Sequence, residues 1–524
     1  MNVPPQSRAL PVQPTSVCNQ ASGLSALNLF LLIVIVNFAL QPLTEPDFGW
    51  HLRTGLDFLH NGWKLPISDP YSHTMPDWTW IEHAWLTDVL IGGVYSLFGG
   101  LGIILLFGAV TVSAWLLASK VAPCGIVFRQ LACILSLWVA LPYLGARTQL
   151  ITLLGLAVLL LLLKHWQSGN VSVRWWIPPL FLLWANLHGG FVAGLFLLGL
   201  VLVTTAILRW LATFSPSFMR EPDEPWFSSW DLKQLMFITV LSGLVTLVNP
   251  YGWRLHSEIL DSVSNRFMLD TLQEWQPLAI NGVAGRSYTY YLMGLGVAMA
   301  LWYRRIEPVR WVVGGVFLAL SIRHMRNIPF FLIISLPLCA ELLADGFERL
   351  RNLWSQPFFS RRSANFAGAL AAVAMLVWLG PEHLQHVIQS GTRPAEYFRS
   401  TSFPIEAVEW IQTHHELVGK RLYNDYAYGG FLLWWLPEDK IFIDGRMPTW
   451  QIGENRIFRD YVALTSMDPP DLTLLKKYSV DWVMVKKQTL LDRSLAREPG
   501  WTRLYEDQKV TIYRLLAGRM TPET

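Results

Sequence analysis

Charge is scarce in this chain. Only 15% of its 524 residues are Asp, Glu, Lys or Arg while 52% are apolar, against about a quarter charged in an average soluble protein. A chain of this length and so poor in charge cannot keep most of its surface in water, so its bulk belongs in lipid. Charge of one sign is lacking too. The formal net charge is +3 and the basic residues are scattered between apolar runs, which excludes a nucleic-acid partner. Cysteine is rare: Cys18, Cys124, Cys133 and Cys339 lie in the N-terminal tail or in apolar runs, so the C-terminal part has no disulfide framework. No compact metal-ligand spacing such as H-E-x-x-H occurs. No small-x-small cleavage site follows the first apolar run, which reads as an uncleaved span.

What the chain does have is a succession of apolar segments. They run Leu24–Leu40, Leu101–Ser119, Gln130–Leu144, Leu150–Leu163, Trp175–Ala185, Phe191–Leu208, Leu235–Val248, Tyr290–Trp302, Trp311–Ile322, Ile328–Leu343 and Phe366–Leu379. They predict a polytopic α-helical membrane protein with about eleven crossings. The stretch Trp85–Phe98 is apolar but carries Asp88 and ends in Gly99 and Gly100. If it lies in the membrane interface and the N-terminus is cytoplasmic, Lys120, Arg129, Lys164, Arg174, Arg209, Arg220, Lys233, Arg304, Arg305, Arg310, Arg349, Arg351, Arg361 and Arg362 all fall inside. Making it a span would reverse every later loop and lose that excess, so the interfacial placement is preferred.

Residues 1–23, rich in Pro, Ser and Gln, read as a disordered cytoplasmic tail. Residues 24–380 form the transmembrane domain, with a large first external loop at 41–98. From residue 381 the pattern changes to short mixed segments. AVEWIQ and LTLLKKY read as helices, and RLYND, KIFID, DWVMV, LYED and KVTIYRL as strands. Residues 381–524 are therefore an external α/β domain on a cell or inner membrane protein, facing the periplasm or the exterior.

The outward loops repeat the same polar types. The first supplies Asp47, Trp50, His51, Arg53, Asp69, His73, Glu82 and His83. Later ones add Arg147 in GARTQL, His188 in WANLHGG, Arg254 and His256 in NPYGWRLH, Glu274 in QEWQP, and Arg323, His324 and Arg326 in SIRHMRN. Arginines beside short spans line a cavity, snorkel, or meet an anion. A carboxylate in a partly desolvated pocket takes a proton from an attacking hydroxyl, while arginines grip a phosphate leaving group. Such a set suits sugar transfer from a lipid phosphate. The bland alternatives are equally concrete. Asp47 beside Pro46 reads as a helix-end residue, Glu82 and His83 as a cap on the helix that starts near Trp85, and the many tryptophans as interface anchors. Asp425 and Asp444 end strands where Asp often starts a turn, and Gly429, Gly430 and Gly445 serve turns or dock the domain on the membrane cavity.

The order of these motifs resembles the GT-C class of membrane glycosyltransferases, in particular uncharacterised bacterial members with D-x-x-W-H-L, D-P-Y/F-S, E-H/W-W-L, W-x-N-x-H-G, N-P-Y-G-W-R and R-H-x-R-N motifs. The resemblance covers nearly the whole chain, including NDYAYGGFLLW and KIFIDGR. It implies a polyprenyl-phosphate-linked sugar donor, a glycan, lipid or protein acceptor, and Asp47 as base or acceptor-binding carboxylate. It also implies Arg147, Arg254, Arg323 and Arg326 as ligands of the lipid phosphate. Family members often carry a second acid directly after the first. Here Phe48 follows Asp47, which leaves Glu45 or Glu82 to stand in and leaves a divalent metal, assembled from His51, Glu82, His83 and Asp47, as the minority reading. A transporter of an anionic lipid or glycan and a non-catalytic polysaccharide-assembly protein are the competing functions. The transporter predicts polar residues at mid-membrane and an internal repeat, neither of which is evident in the spans.

Overall fold

The computed structural model describes residues 26–214, 229–301, 306–353 and 361–516. The sequence-stretch expectations for the tail 1–23, for Cys18, and for Arg220, Arg304 and Arg305 lie outside these residues.

The apolar runs become helices because lipid offers their backbone no other hydrogen-bond partner. In chain order they are α1 (Ala26–Ala39), α2 (Phe48–His60), α3 (Trp85–Ser119), α4 (Ile126–Ala140), α5 (Gln149–Gln167), α6 (Ile177–Leu187) and α7 (Phe191–Phe214). After these come α8 (Ser229–Val245), α9 (Trp253–Ser264), α10 (Arg266–Thr271), α11 (Val283–Leu301), α12 (Pro308–Arg323), α13 (Ile328–Leu353) and α14 (Arg361–Thr392). Among the described residues, five helical stretches are long and apolar enough to cross a membrane: Trp85–Ser119, Ile126–Tyr143, Gln149–Gln167, Phe191–Phe214 and Met325–Leu353.

The helix α3 is two helices in series. Gly99 sits at φ 60°, ψ −156°, a conformation open to glycine alone, and there the stretch Trp85–Phe98 turns away from the apolar run that follows. Helix α2 is amphipathic: its Phe48, Trp50, Leu52 and Phe58 are buried, and it packs along the first half of α3. The loop that joins them runs through residues 61–84.

Helix α14 continues through Pro381 to Thr392, so the chain leaves the bundle at Arg393. The C-terminal domain holds a four-stranded sheet, β1 (Leu422–Asn424), β2 (Trp482–Lys486), β3 (Trp501–Glu506) and β4 (Val510–Leu515), in the order β1-β2-β4-β3. Strands β1 and β2 are parallel, and β2, β4 and β3 are antiparallel. Helices α15 (Pro394–Arg399), α16 (Ile405–Thr413), α17 (Gly429–Trp435) and α18 (Ile457–Ser466) pack around it. The core is continuous with the first outer loop, since Trp50, Tyr71, Met75 and Trp80 belong to the same apolar cluster as Ile443, Phe442 and Val483.

One expected strand is not in the sheet. KIFID is extended, but Ile441 pairs with Ser72 of the first outer loop. The Ile441 N–H donates to Tyr71 O at 3.0 Å and the His73 N–H to Ile441 O at 3.1 Å. The loop offers the backbone partners that a neighbouring strand would otherwise supply.

Candidate active site

Asp47 stands at the N-cap position of α2, yet its side chain makes no capping hydrogen bond. Its carboxylate instead lies against Gly445 of the C-terminal domain, where a Cβ on residue 445 would collide with it. Burial, helped by the neighbouring Glu45 carboxylate and opposed by His51, pushes its pKa up to about 6.

Around it separate loops deliver charges in pairs. Arg147 is ion-paired with Glu45, and Arg326 with Glu274. Burial works against the Arg147 charge but is outweighed by Glu45, Glu274 and Asp47, which keep its guanidinium charged. Glu45 goes the other way: burial raises its pKa despite Arg147.

The turn that carries Arg326 is fixed by its neighbours. The Met325 N–H donates to Gln276 O at 3.0 Å, His324 Nδ1 bonds Trp275 O, and Gln149 Nε2 donates to Arg326 O at 3.2 Å. The guanidinium of Arg326 lies over the Trp275 ring, 5.3 Å from its centroid. Tyr426, at the N-terminal side of α17, closes the cluster from the soluble domain; burial and the charges of Asp47, Glu274 and Asp444 raise its pKa.

A second polar group sits deeper. His51 Nδ1 is 2.6 Å from Asp88 Oδ1, its Nε2 is 3.4 Å from Thr148 Oγ1, and its ring stacks on Trp50 with centroids 3.5 Å apart. Burial pushes the His51 pKa down to about 3, so the imidazole is neutral at pH 7. Glu82 is buried, with Oε1 accepting the Ala84 N–H at 2.8 Å. That bond goes to the residue before α3, so Glu82 does not cap a first-turn N–H of the helix. Burial, then Asp88, holds the Glu82 pKa well above the usual carboxylate range. His83 faces His188, with ring centroids 5.6 Å apart, and burial pushes its pKa down to about 3.

His51, Glu82 and Asp88 each place one ligand atom within 4.8 Å of the others, and Glu82 Oε2 and Asp88 Oδ2 are buried without a hydrogen-bond partner. The donor set fits a hard divalent cation. The 2.6 Å His51–Asp88 contact is shorter than the spacing of about 3 Å between neighbouring ligands on one such ion, so holding the ion requires that contact to open. Asp88 is the member that sequence reading left out. Its signal was a lone acid inside an apolar helix.

The remaining expected residues go elsewhere. His188 Nδ1 meets Thr152 Oγ1 at 2.8 Å and accepts the Gly190 N–H at 3.0 Å. It is a core histidine with its acceptor used. His256 Nε2 is 2.8 Å from Thr246 Oγ1, and its ring stacks on Trp253. Arg254 and Arg323 are exposed, and the guanidinium charges that act on Glu45 are those of Arg147 and Arg326.

No family model matches the sequence, and no curated protein matches it. Solved structures do. The oligosaccharyltransferase of Archaeoglobus fulgidus, solved with a tethered acceptor peptide containing an NVT sequon, superposes with a TM-score of 0.50 at 12% identity, over 93% of this chain and 74% of that one. The chain therefore has the GT-C fold: a bundle of membrane helices with a C-terminal domain. More distant is ArnT from Cupriavidus metallidurans bound to undecaprenyl phosphate, with a TM-score of 0.39 at 15% identity, over 94% of this chain and 98% of that one.

Proposed function

We propose that this protein is a membrane glycosyltransferase that moves a sugar from a polyprenyl-phosphate donor to an acceptor at the outer face of the membrane, with about eleven crossings and the C-terminal domain outside. The observation that carries the reading is the convergence of Asp47, half-buried and raised to about 6, with two guanidinium groups from separate loops. Asp47 takes the proton of the acceptor nucleophile as its lone pair bonds to the anomeric carbon. The bond from that carbon to the phosphate oxygen breaks, and the leaving phosphate carries its electrons toward Arg147 and Arg326. In the ligand-free protein Glu45 and Glu274 hold these arginines in place, as the phosphate would.

The test is transfer by purified protein in nanodiscs, offered a panel of radiolabelled polyprenyl-phosphate sugars. Transfer from at least one donor supports the reading, and no transfer from any sinks it. Arg326→Gln removes one charge-assisted contact to the phosphate, so the donor KM is expected to rise about 10- to 100-fold. Donor titration at saturating acceptor measures this.

A divalent cation on His51, Glu82 and Asp88 belongs to the same proposal, on the strength of the two unpartnered oxygens. When bound it would supply positive charge beside the acidic cluster. Purified protein should bind one Mn²⁺ per chain in a spin-resonance titration, with affinity lost about 10- to 100-fold in Asp88→Asn. Equal binding by both proteins rules the site out.

A further inference from the structure

We propose that Arg446 of the C-terminal domain is a positioning residue: it clamps the first outer loop so that Gly445 seats on the Asp47 carboxylate and sets its orientation. The inference rests on the reading of Asp47 as the base.

The clamp is built from both sides. From the soluble domain, Arg446 Nε donates to Asp444 Oδ2 at 2.8 Å, and its backbone N–H donates to Asp444 Oδ1 at 3.0 Å. From the outer loop, Asp69 Oδ1 accepts Arg446 Nη1–H at 2.8 Å. The guanidinium lies 5.1 Å from the Tyr71 ring centroid, 5.0 Å from Trp80 and 5.3 Å from Trp450. Its side chain is 2% exposed and those of both carboxylates are 0%. Three charges so far from water persist only when each is paired. The planar fork and flat faces of arginine serve two carboxylates and three rings at once, which an ammonium cannot do.

What the clamp holds together is the loop of Asp69 and the segment that carries Gly445. Asp69 also accepts the N–H groups of Tyr71 and Ser72, at 3.2 and 2.9 Å, which shapes the outer turn. That turn pairs with Ile441, and Thr74 Oγ1 donates to Phe442 O at 2.7 Å. The segment Ile441–Asp444 is thus bound to the outer loop just before Gly445. Consecutive Cα atoms are about 3.8 Å apart, so fixing Arg446 fixes Gly445. Residue 445 then meets Asp47 so closely that a Cβ there would clash with its carboxylate, 2.0 Å from Oδ1. In a site where a displacement of about 1 Å costs about 100-fold, that contact decides where the base points.

The experiment compares wild type, Arg446→Lys and Gly445→Ala in nanodiscs by two readouts. One is the split of kcat from donor KM in sugar transfer. The other, independent of activity, is the rate at which a water-soluble carbodiimide labels Asp47, followed by peptide mass spectrometry. Arg446→Lys keeps the charge and loses the fork; kcat is expected to fall about 100-fold with little change in donor KM, and Asp47 labelling to accelerate about tenfold. Gly445→Ala keeps the clamp, seen as unchanged hydrogen exchange at Tyr71–Thr74, and is expected to show the same loss of kcat. Wild-type labelling and wild-type kcat in folded Arg446→Lys would overturn the proposal, as would a wild-type rate in Gly445→Ala. If no donor supports transfer, accelerated labelling in Arg446→Lys still upholds the clamp while the transferase reading falls, and unchanged labelling overturns the clamp.

Discussion

Asp47→Asn is expected to lower sugar transfer about a thousandfold, the weight of a general base in the chemical step, while donor binding stays near the wild-type value. The amide is isosteric with the carboxylate, so it still fits against Gly445, and it leaves the Arg147–Glu45 and Arg326–Glu274 pairs in place. It cannot accept the acceptor's proton. The pH profile gives the same prediction a second handle. With burial and Glu45 holding Asp47 up to about 6, the base is protonated and idle below that pH, so the wild-type rate rises as pH climbs through about 6 and levels off above it. At pH 4 about 1% of the base is ionised. Glu45→Gln removes the neighbouring negative charge and frees Arg147. Both changes favour the ionised form, so the inflection is expected to move to lower pH. Initial rates from pH 4 to 9, measured on wild type, Asp47→Asn and Glu45→Gln, check all three statements. An inflection that stays put in Glu45→Gln would mean that the titrating group is not Asp47.

Gly49→Val is expected to separate the soluble domain from the membrane domain. Helix α2 crosses α17 so closely that a Cβ at Gly49 would fall on the carbonyl oxygen of Gly430, and a Cβ at Gly430 on that of Pro46. Neither obstacle is the tip of a side chain that could swing aside; both are backbone. Phe48 and Trp434 flank the crossing edge to face, with centroids 5.2 Å apart. An overpacked contact of this kind costs about 3 kcal/mol, and here the strain can be relieved only by moving one domain off the other. Arg393, exposed at the junction after α14, then becomes the point of attack: trypsin should release the soluble domain about ten times faster than from wild type. Gly93→Val is the control, because nothing stands within 4 Å of a Cβ there. If Gly49→Val resists trypsin as wild type does, the two domains are not held by this crossing.

That crossing also bears on the assembly-protein alternative. A polysaccharide-binding module hung from the bundle would keep its own core, whereas here the domain shares an apolar cluster with Trp50, Tyr71 and Trp80 of the first outer loop. The C-terminal domain and that loop share one core.

How much of this was legible beforehand differs by level. Each apolar run has its centre in a helix, and the break at Gly99 falls where the two glycines and the charge of Asp88 marked it. Those signals are local: a run of apolar side chains, or a glycine pair, acts on its own few residues. KIFID shows the limit, since alternating apolar residues specify an extended chain but not its partner, and the partner is a loop some 370 residues earlier in sequence.

By itself the sequence determined the membrane class, the helical runs, the mixed C-terminal domain and the pool of acids, arginines and histidines. Only the tertiary structure decided which of them meet. It put Arg147 on Glu45 and Arg326 on Glu274, sent His188 into the core on Thr152, left Arg254 and Arg323 in the open, and brought Gly445 onto Asp47. The reason is the range of the forces. Burial and backbone hydrogen bonding are settled within a segment, but a buried charge takes whichever partner the fold brings within a few ångströms, and residues hundreds apart leave no shared local pattern to read.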